Sequence, residues 1–331
     1  MHKKERILGA LIGAAYGDAF GMPSEMWTPE KIKAKLGYID CFLPGQEENE
    51  ISRGFQAGEV TDDTANLLLV VDMLVKGRGK VDAHLFIEML RRWAGEQEKA
   101  KTVIGPSTAA AFQKLEKGVP MELTGRKGTT NGGAMKILPL GLVYGSQGLE
   151  VLSRQVKLLC LPTHNTSCAM AGACAVAAAA GLAAEGERSL EGILDYAREG
   201  ALAGQLQGFP VCGPSVAGRI GLARVIAEQS KSEEKVLEEL YDIVGTGLSA
   251  AESVPAALGL VSLSRGNPVK CARYAANIGG DTDTIGAMAC GICGAYSGVG
   301  AFEKKDIELL ERVNGISFEK VTDRLMEACG L

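Results

Sequence analysis

The 331-residue chain is 46% hydrophobic and 23% charged, enough apolar material for a sizeable core. With 43 Gly and only 5% aromatic residues, that core must come from Ala, Leu, Val, Ile and close backbone contacts, which suits packed helices. A formal charge of −5, with no long run of Lys or Arg, argues against a nucleic-acid-binding surface and leaves small molecules or proteins as partners.

From Lys4 to Phe20, Ile7, Leu8, Leu11, Ala14, Ala15 and Phe20 follow helical spacing. Gly9, Gly13, Gly17 and Gly21 recur every four residues on that helix. Interior Gly costs about 1 kcal/mol relative to Ala, so the stripe implies the close approach of another helix. The basic start at Lys3 and Lys4 runs into this amphipathic stretch without an apolar leader, and no targeting segment is read. A polar segment follows to about Glu59. Thr61 to Val75 reads as a second helix with Thr61 or Asp62 as N-cap. Val81 to Ala94 is a third, and Pro106-Ser107-Thr108 opens a fourth that ends near Gly118.

Gly125 to Gly133 is too rich in Gly and Thr for regular structure and precedes the apolar stretch Ala134 to Val143. Such a loop can cradle phosphate through its N–H groups, although it lacks the Lys-Ser/Thr ending of a P-loop. Leu149 to Leu159 and Ser167 to Ala184 read as helices. The second approaches transmembrane length, but its Ala and Gly bury little area per residue, and a buried soluble helix fits better. His164, just before that helix, reads on its own as a capping or solvated residue. Ser189 to Leu202, Val216 to Ala227 and Ser232 to Val244 continue the helical pattern, and Ser253-Val254-Pro255 begins another helix toward Leu263. Asn267 to Ala276, Ile285 to Ala295 and Lys304 to Ala328 complete it. With no sustained period-two alternation, the fold class is all-α, a compact multi-helix bundle forming a single domain over 1–331.

The odd number of cysteines, nine, and their apolar settings at Cys168, Cys174, Cys290 and Cys293 leave no disulfide framework, so a reducing cytoplasm is the expected compartment. Cys290-Gly-Ile-Cys293 reads as helix packing, because no second pair or His cluster stands beside it.

Two acidic clusters stand out. Thr61-Asp62-Asp63-Thr64 and Asp281-Thr282-Asp283-Thr284 each open an apolar helix, the second behind the pair Gly279-Gly280. Each alone is satisfied by an N-cap with acids in the first turn. Together, four carboxylates at core level would raise one another's pKa unless a cation joined them, and the hydroxyls make an all-oxygen set suited to Mg²⁺, Mn²⁺ or Ca²⁺. Asp283, central in its motif, is the candidate to bridge two ions.

The segment Gly17 to Glu25, the Thr-Asp-Asp-Thr at 61–64, Thr130 to Lys136, Thr163-His164 and Asn277 to Gly286 together resemble the ADP-ribosylglycohydrolase family over nearly the whole chain. The resemblance implies two Mg²⁺ or Mn²⁺ ions in a cleft, held by Thr61, Asp62 and Asp63 on one side and Asp281, Asp283 and Thr284 on the other. It implies hydrolysis of the bond that joins ADP-ribose to a protein side chain or small acceptor. Glu25 becomes the proton-transfer residue, acting with Asp62 and Asp283. Gly128, Thr129, Thr130, Asn131 and Gly132 would hold the diphosphate or distal ribose, with His164 lining the same cleft. Relatives that release arginine-linked ADP-ribose carry an Asp where Val103 stands here, which leaves O-linked or free ADP-ribosyl compounds and nucleoside-like N-glycosides as further substrate readings; a catalytically silent binding role, also implied by the resemblance, is disfavoured by the intact acids in both motifs.

Overall fold

The computed structural model describes residues 1–96, 104–187, 189–229 and 231–331. Among them are seventeen α-helices and no strand. The first half contains α1 (Lys3–Gly21), α2 (Pro29–Leu36), α3 (Asp62–Lys76), α4 (Ala83–Glu96), α5 (Pro106–Glu116), α6 (Met121–Thr124), α7 (Leu138–Tyr144) and α8 (Leu149–Cys160). The second half contains α9 (Ser167–Ala184), α10 (Leu190–Gln205), α11 (Val216–Glu228), α12 (Glu233–Glu239), α13 (Ala250–Leu263), α14 (Pro268–Ile278), α15 (Thr282–Ser297), α16 (Lys304–Asn314) and α17 (Phe318–Cys329). The all-α reading therefore holds.

The glycine stripe of α1 lies against α15, the most extensive helix contact in the molecule. A Cβ on Gly9 would meet Gly294 O at 2.4 Å, on Gly13 Cys290 O at 2.2 Å, on Gly17 Gly286 O at 2.0 Å and on Gly21 Thr282 O at 2.3 Å. As numbering rises along α1 it falls along α15, so the pair is antiparallel. Gly286 and Gly294 return the fit, their own Cβ positions falling on Gly17 O and Gly9 O. The two axes are thus held at backbone contact, and the N-terminus of α15 is seated beside the C-terminal end of α1.

The central helix α9 is the one helix among the described residues long and apolar enough to span a membrane, and 83% of it is buried inside the bundle. Its small side chains admit neighbours on two faces: Gly200 and Gly204 of α10 against Cys174 and Met170, and Gly141 and Gly145 against Ala177 and Gly181. Cys290 and Cys293 are buried in α15, and Cys290 Sγ donates to Pro268 O at 3.4 Å.

Two expectations need correction. The polar segment before Glu59 contains α2, which Thr28 caps through Lys31 N, with Pro29 at its first position. The helix ending at Leu263 begins at Ala250 rather than Ser253, so Pro255 lies inside it. A proline there removes the N–H that would bond Ala251 O, and Arg219 Nη1 donates to that carbonyl instead at 3.0 Å.

Gly17→Ala is expected to lower stability in denaturant titration by about 1–3 kcal/mol, since the added carbon must push two backbones apart. Gly221→Ala, where the site of the Cβ is open space, should be neutral or stabilising by up to about 1 kcal/mol. Equal effects at both positions would dismiss the helix crossing as the reason for the stripe.

Candidate functional site

Both acidic clusters sit on helix N-termini that the bundle turns toward one cavity. Thr61 is the N-cap of α3, its Oγ1 accepting from Asp63 N at 3.3 Å, and Asp281 is the N-cap of α15. Asp62, Asp63, Thr61, Asp281, Asp283 and Thr284 are all buried and all converge. Thr61 Oγ1 lies 3.4 Å from both Asp63 Oδ2 and Asp283 Oδ2, and Thr284 Oγ1 donates to Asp63 Oδ2 at 3.2 Å. Residues more than two hundred positions apart are thereby in one hydrogen-bonded cluster. Glu25 joins them from the turn after α1, and one oxygen each of Glu25, Asp281 and Asp283 lies within 4.8 Å of the others.

The backbone explains the convergence. Gly279 (φ 85°) and Gly280 (φ 80°) take a left-handed path that a side chain would resist. Their Cβ atoms would fall 2.7 Å from Pro29 Cδ and 2.4 Å from Thr246 O. That path lets Gly280 pair with Trp27, fixing the Glu25 turn, while Asp281 N donates to Thr246 O at 2.8 Å. Two residues on, Leu248 O accepts from Asn131 N at 2.9 Å. The stretch 246–249 thus ties the Asn131 turn to the second acidic cluster.

Four neighbours complete the cluster: Asp18, Lys136 and Ser253, which sequence reading left without a role, and Asn131, which it assigned to the diphosphate or distal ribose. Asp18 of α1 accepts from Thr61 N at 3.0 Å, Thr64 N at 3.0 Å and Thr64 Oγ1 at 2.5 Å, and so caps the start of α3 from another helix. Asn131 Nδ2 donates to Asp281 Oδ2 and, at 2.9 Å, to Ser253 Oγ of α13. Lys136 is buried, its Nζ donating to Gly132 O. The signal for Asp18 and Lys136 was their place in the motifs Gly17 to Glu25 and Thr130 to Lys136. For Ser253 there was none, because its helix start was misplaced.

The cavity holds about 50 Å³, lined by the acids with Thr130, Asn131, Gly132, Met135, His164 and Leu248, and by Gly105, Pro106 and Thr108 at the start of α5. A larger groove beside Lys76 and Lys80 lies apart from these acids. Gly128 and Thr129 lie outside the lining. Gly128 backs onto Thr163 and its carbonyl accepts from Thr166 Oγ1, while Thr129 O accepts from Ala250 N. His164 is enclosed, with Nδ1 2.7 Å from Thr163 Oγ1 and Nε2 3.0 Å from Thr130 Oγ1. Burial and the Lys136 charge hold its pKa well below the ordinary value, so it is a neutral support for Thr130. Val103 lies outside the described residues.

The electrostatics are those of acids without a counter-ion. Burial, then Asp283, holds Asp63 well above the carboxylate range, and burial, then Asp281, does the same to Asp283. Burial, with Asp18 and Asp281, pushes Asp62 to about 8, and burial pushes Asp281 and Asp18 to about 6. Glu25 is raised by burial and by Asp283. Glu25 Oε2, Asp63 Oδ1 and Asp283 Oδ1 are buried with no hydrogen-bond partner. Orphaned hard oxygens in one cavity fit a divalent cation, which would satisfy them and displace the protons.

Two measurements follow. An acid whose folded pKa is raised stabilises the fold below its unfolded pKa and loses that contribution as pH climbs through the folded value. The metal-free protein should therefore lose melting temperature between about pH 4 and pH 8, the interval spanned by Asp62, whose ordinary value is 3.8. Saturating Mg²⁺ should remove most of that slope, and a slope that Mg²⁺ leaves untouched would count against this cluster as the cause. Asp18→Ala orphans the Thr61 and Thr64 N–H groups, at a cost of about 1–3 kcal/mol. It should also weaken Mn²⁺ binding in calorimetry about 10- to 100-fold. Unchanged affinity would show that Asp18 does not position the ligands.

The ADP-ribosylglycohydrolase family profile matches residues 1–331. The chain is 40% identical over 324 residues to the uncharacterized protein YegU of Escherichia coli K12, covering 98% of this chain and 97% of that one. It is 27% identical over 328 residues to the human ADP-ribosylhydrolase ARH3, covering 89% and 86%. A solved structure, an ADP-ribosylglycohydrolase-related protein complex, shares the fold with a TM-score of 0.73 at 23% identity, covering 99% of both chains. With a full-length family match and a 40% identical relative spanning almost the whole chain, this protein belongs to the ADP-ribosylglycohydrolase family.

Proposed function

We propose that this protein is a divalent-metal-dependent hydrolase that cleaves the glycosidic bond of an ADP-ribosylated substrate and releases ADP-ribose. The observation that carries the reading is the set of buried carboxylate oxygens of Glu25, Asp63 and Asp283 that have no partner within the protein. Family membership and the likeness to ADP-ribosylhydrolase ARH3 support the substrate class.

In this reading Thr61, Asp62, Asp63, Asp281, Asp283 and Thr284 would hold Mg²⁺ or Mn²⁺. Bound there, the metal supplies Lewis acidity for a hydrolytic water and for ribose hydroxyls. The surrounding carboxylates favour the positive charge that develops at the anomeric carbon as the glycosidic bond breaks. The oxygen of water forms the new bond to that carbon, and the departing group takes up a proton. In this reading Glu25, partly exposed and raised in pKa, would move that proton. The uncapped N-terminus of the eleven-residue α5 opens on the cavity and favours an anionic group, which suits the diphosphate. Asn131 serves the cluster rather than the phosphate, since its amide is given to Asp281.

A second reading, an N-glycosidase for nucleoside-like small molecules, is favoured by the small cavity, which contains no Lys or Arg among its described lining residues. ADP-ribosyl-serine, ADP-ribosyl-arginine and a nucleoside panel, each with and without Mg²⁺, separate the two. Release of ADP-ribose, dependent on metal, is the expected outcome, and cleavage of nucleosides alone would overturn the ADP-ribosyl reading. Asp283→Ala should abolish Mn²⁺ binding and turnover while preserving the helical circular dichroism. Full activity in that variant would remove the metal assignment.

A further inference from the structure

Among the described residues no other lysine is as hidden as Lys136, which is 1% exposed. Its Nζ donates to Gly132 O and lies 5.5 Å from the ring centroid of Phe86 in α4. It makes no ion pair among the described residues, and burial pulls its pKa below the ordinary lysine value, opposed by Cys160, Asp62 and Asp63.

Burying an ammonium is expensive, and an apolar side chain of the same length would fill this space without desolvation. The ammonium is therefore there for what it binds. The carbonyl that it holds belongs to the turn Asn131–Gly133. Asn131 is the residue whose amide donates to Asp281 and whose own N–H is given to Leu248 O. Gly132 also sits directly on His164, so the turn is fixed from below by the imidazole and from behind by Lys136.

We propose that Lys136 is a positioning residue for the acidic cluster: through the Gly132 carbonyl it locks the Asn131–Gly133 turn and so sets the Asn131 amide on Asp281. The proposal acts on ligand geometry, and it rests on the metal-binding reading only for its effect on affinity.

Lys136→Met keeps the packed stem and removes the donor and the charge, while Lys136→Arg keeps both. In metal-free protein, hydrogen–deuterium exchange of the peptide spanning 129–135 should accelerate in Lys136→Met and stay near wild type in Lys136→Arg. Mn²⁺ affinity should fall about 10- to 100-fold in Lys136→Met, the range seen when partners of metal ligands are removed. Because Lys136 acts through Asn131, the double variant Lys136→Met/Asn131→Ala should bind Mn²⁺ no more weakly than the worse single variant. Wild-type exchange in Lys136→Met, additive losses in the double variant, or an Arg variant as impaired as the Met variant would each overturn the proposal. The exchange measurement needs no metal, so it decides the tether even if wild-type protein bound no Mn²⁺, an outcome that would defeat the metal reading alone.

Discussion

The backbone contact between α1 and α15 is the constraint on which the site depends. Gly17 and Gly286 touch through their main chains, as do Gly9 and Gly294, so the two helices cannot slide without opening a clash or a gap. That contact places Asp18 and Glu25, at the end of α1 and just beyond, beside Asp281 and Asp283 at the start of α15. A pair of larger side chains at the crossing would push the two helices, and these oxygens with them, apart. The apparent waste of helix propensity in α1 is therefore the cost of bringing two distant carboxylate groups to one place.

The acids then set the opposite problem. Asp18, Glu25, Asp62, Asp63, Asp281 and Asp283 share a region from which water is largely excluded, and burial is the leading cause of the raised pKa in every one. The backbone N–H groups at the two helix starts, the hydroxyls of Thr61, Thr64 and Thr284 and the Asn131 amide supply donors. These still leave oxygens unmatched. Protons fill that deficit at low pH, and a divalent cation could fill it near neutrality. A fold stabilised elsewhere by Ala- and Gly-lined helix contacts can carry such a site without collapsing around it.

The partners of the acids come from across the chain. Asp18 caps α3 from α1, Asn131 reaches Asp281 from the turn before α7, and Ser253 reaches Asn131 from α13. Thr246 and Leu248 bridge the turn and the second cluster through main-chain bonds. Orientation of the ligands is therefore shared by several helices, which is the arrangement expected where metal affinity depends on rigid second contacts.

Much of this was legible in the chain. The 3.6-residue periodicity marks most of the helices, the four-residue glycine stripe announces a close crossing, and two acidic helix starts announce an oxygen-rich site, because each of these is a local pattern. The sequence also carries the motif set that resembles the ADP-ribosylglycohydrolase family. It did not reveal that Pro255 lies inside a helix, because only the Arg219 guanidinium from another helix replaces the lost bond. Nor did it assign Asp18 as a cap, Lys136 as a tether or His164 as an enclosed support. Asp18 meets Thr61 across 43 positions and His164 meets Thr130 across 34, while Lys136 bonds Gly132 only four residues away but is buried by other helices; packing, not local propensity, decides these roles. By itself the sequence determined most of the helices and the inventory of candidate oxygen ligands; the tertiary structure alone decided which of those oxygens face one another, because burial and backbone contact act between segments that the linear order keeps apart.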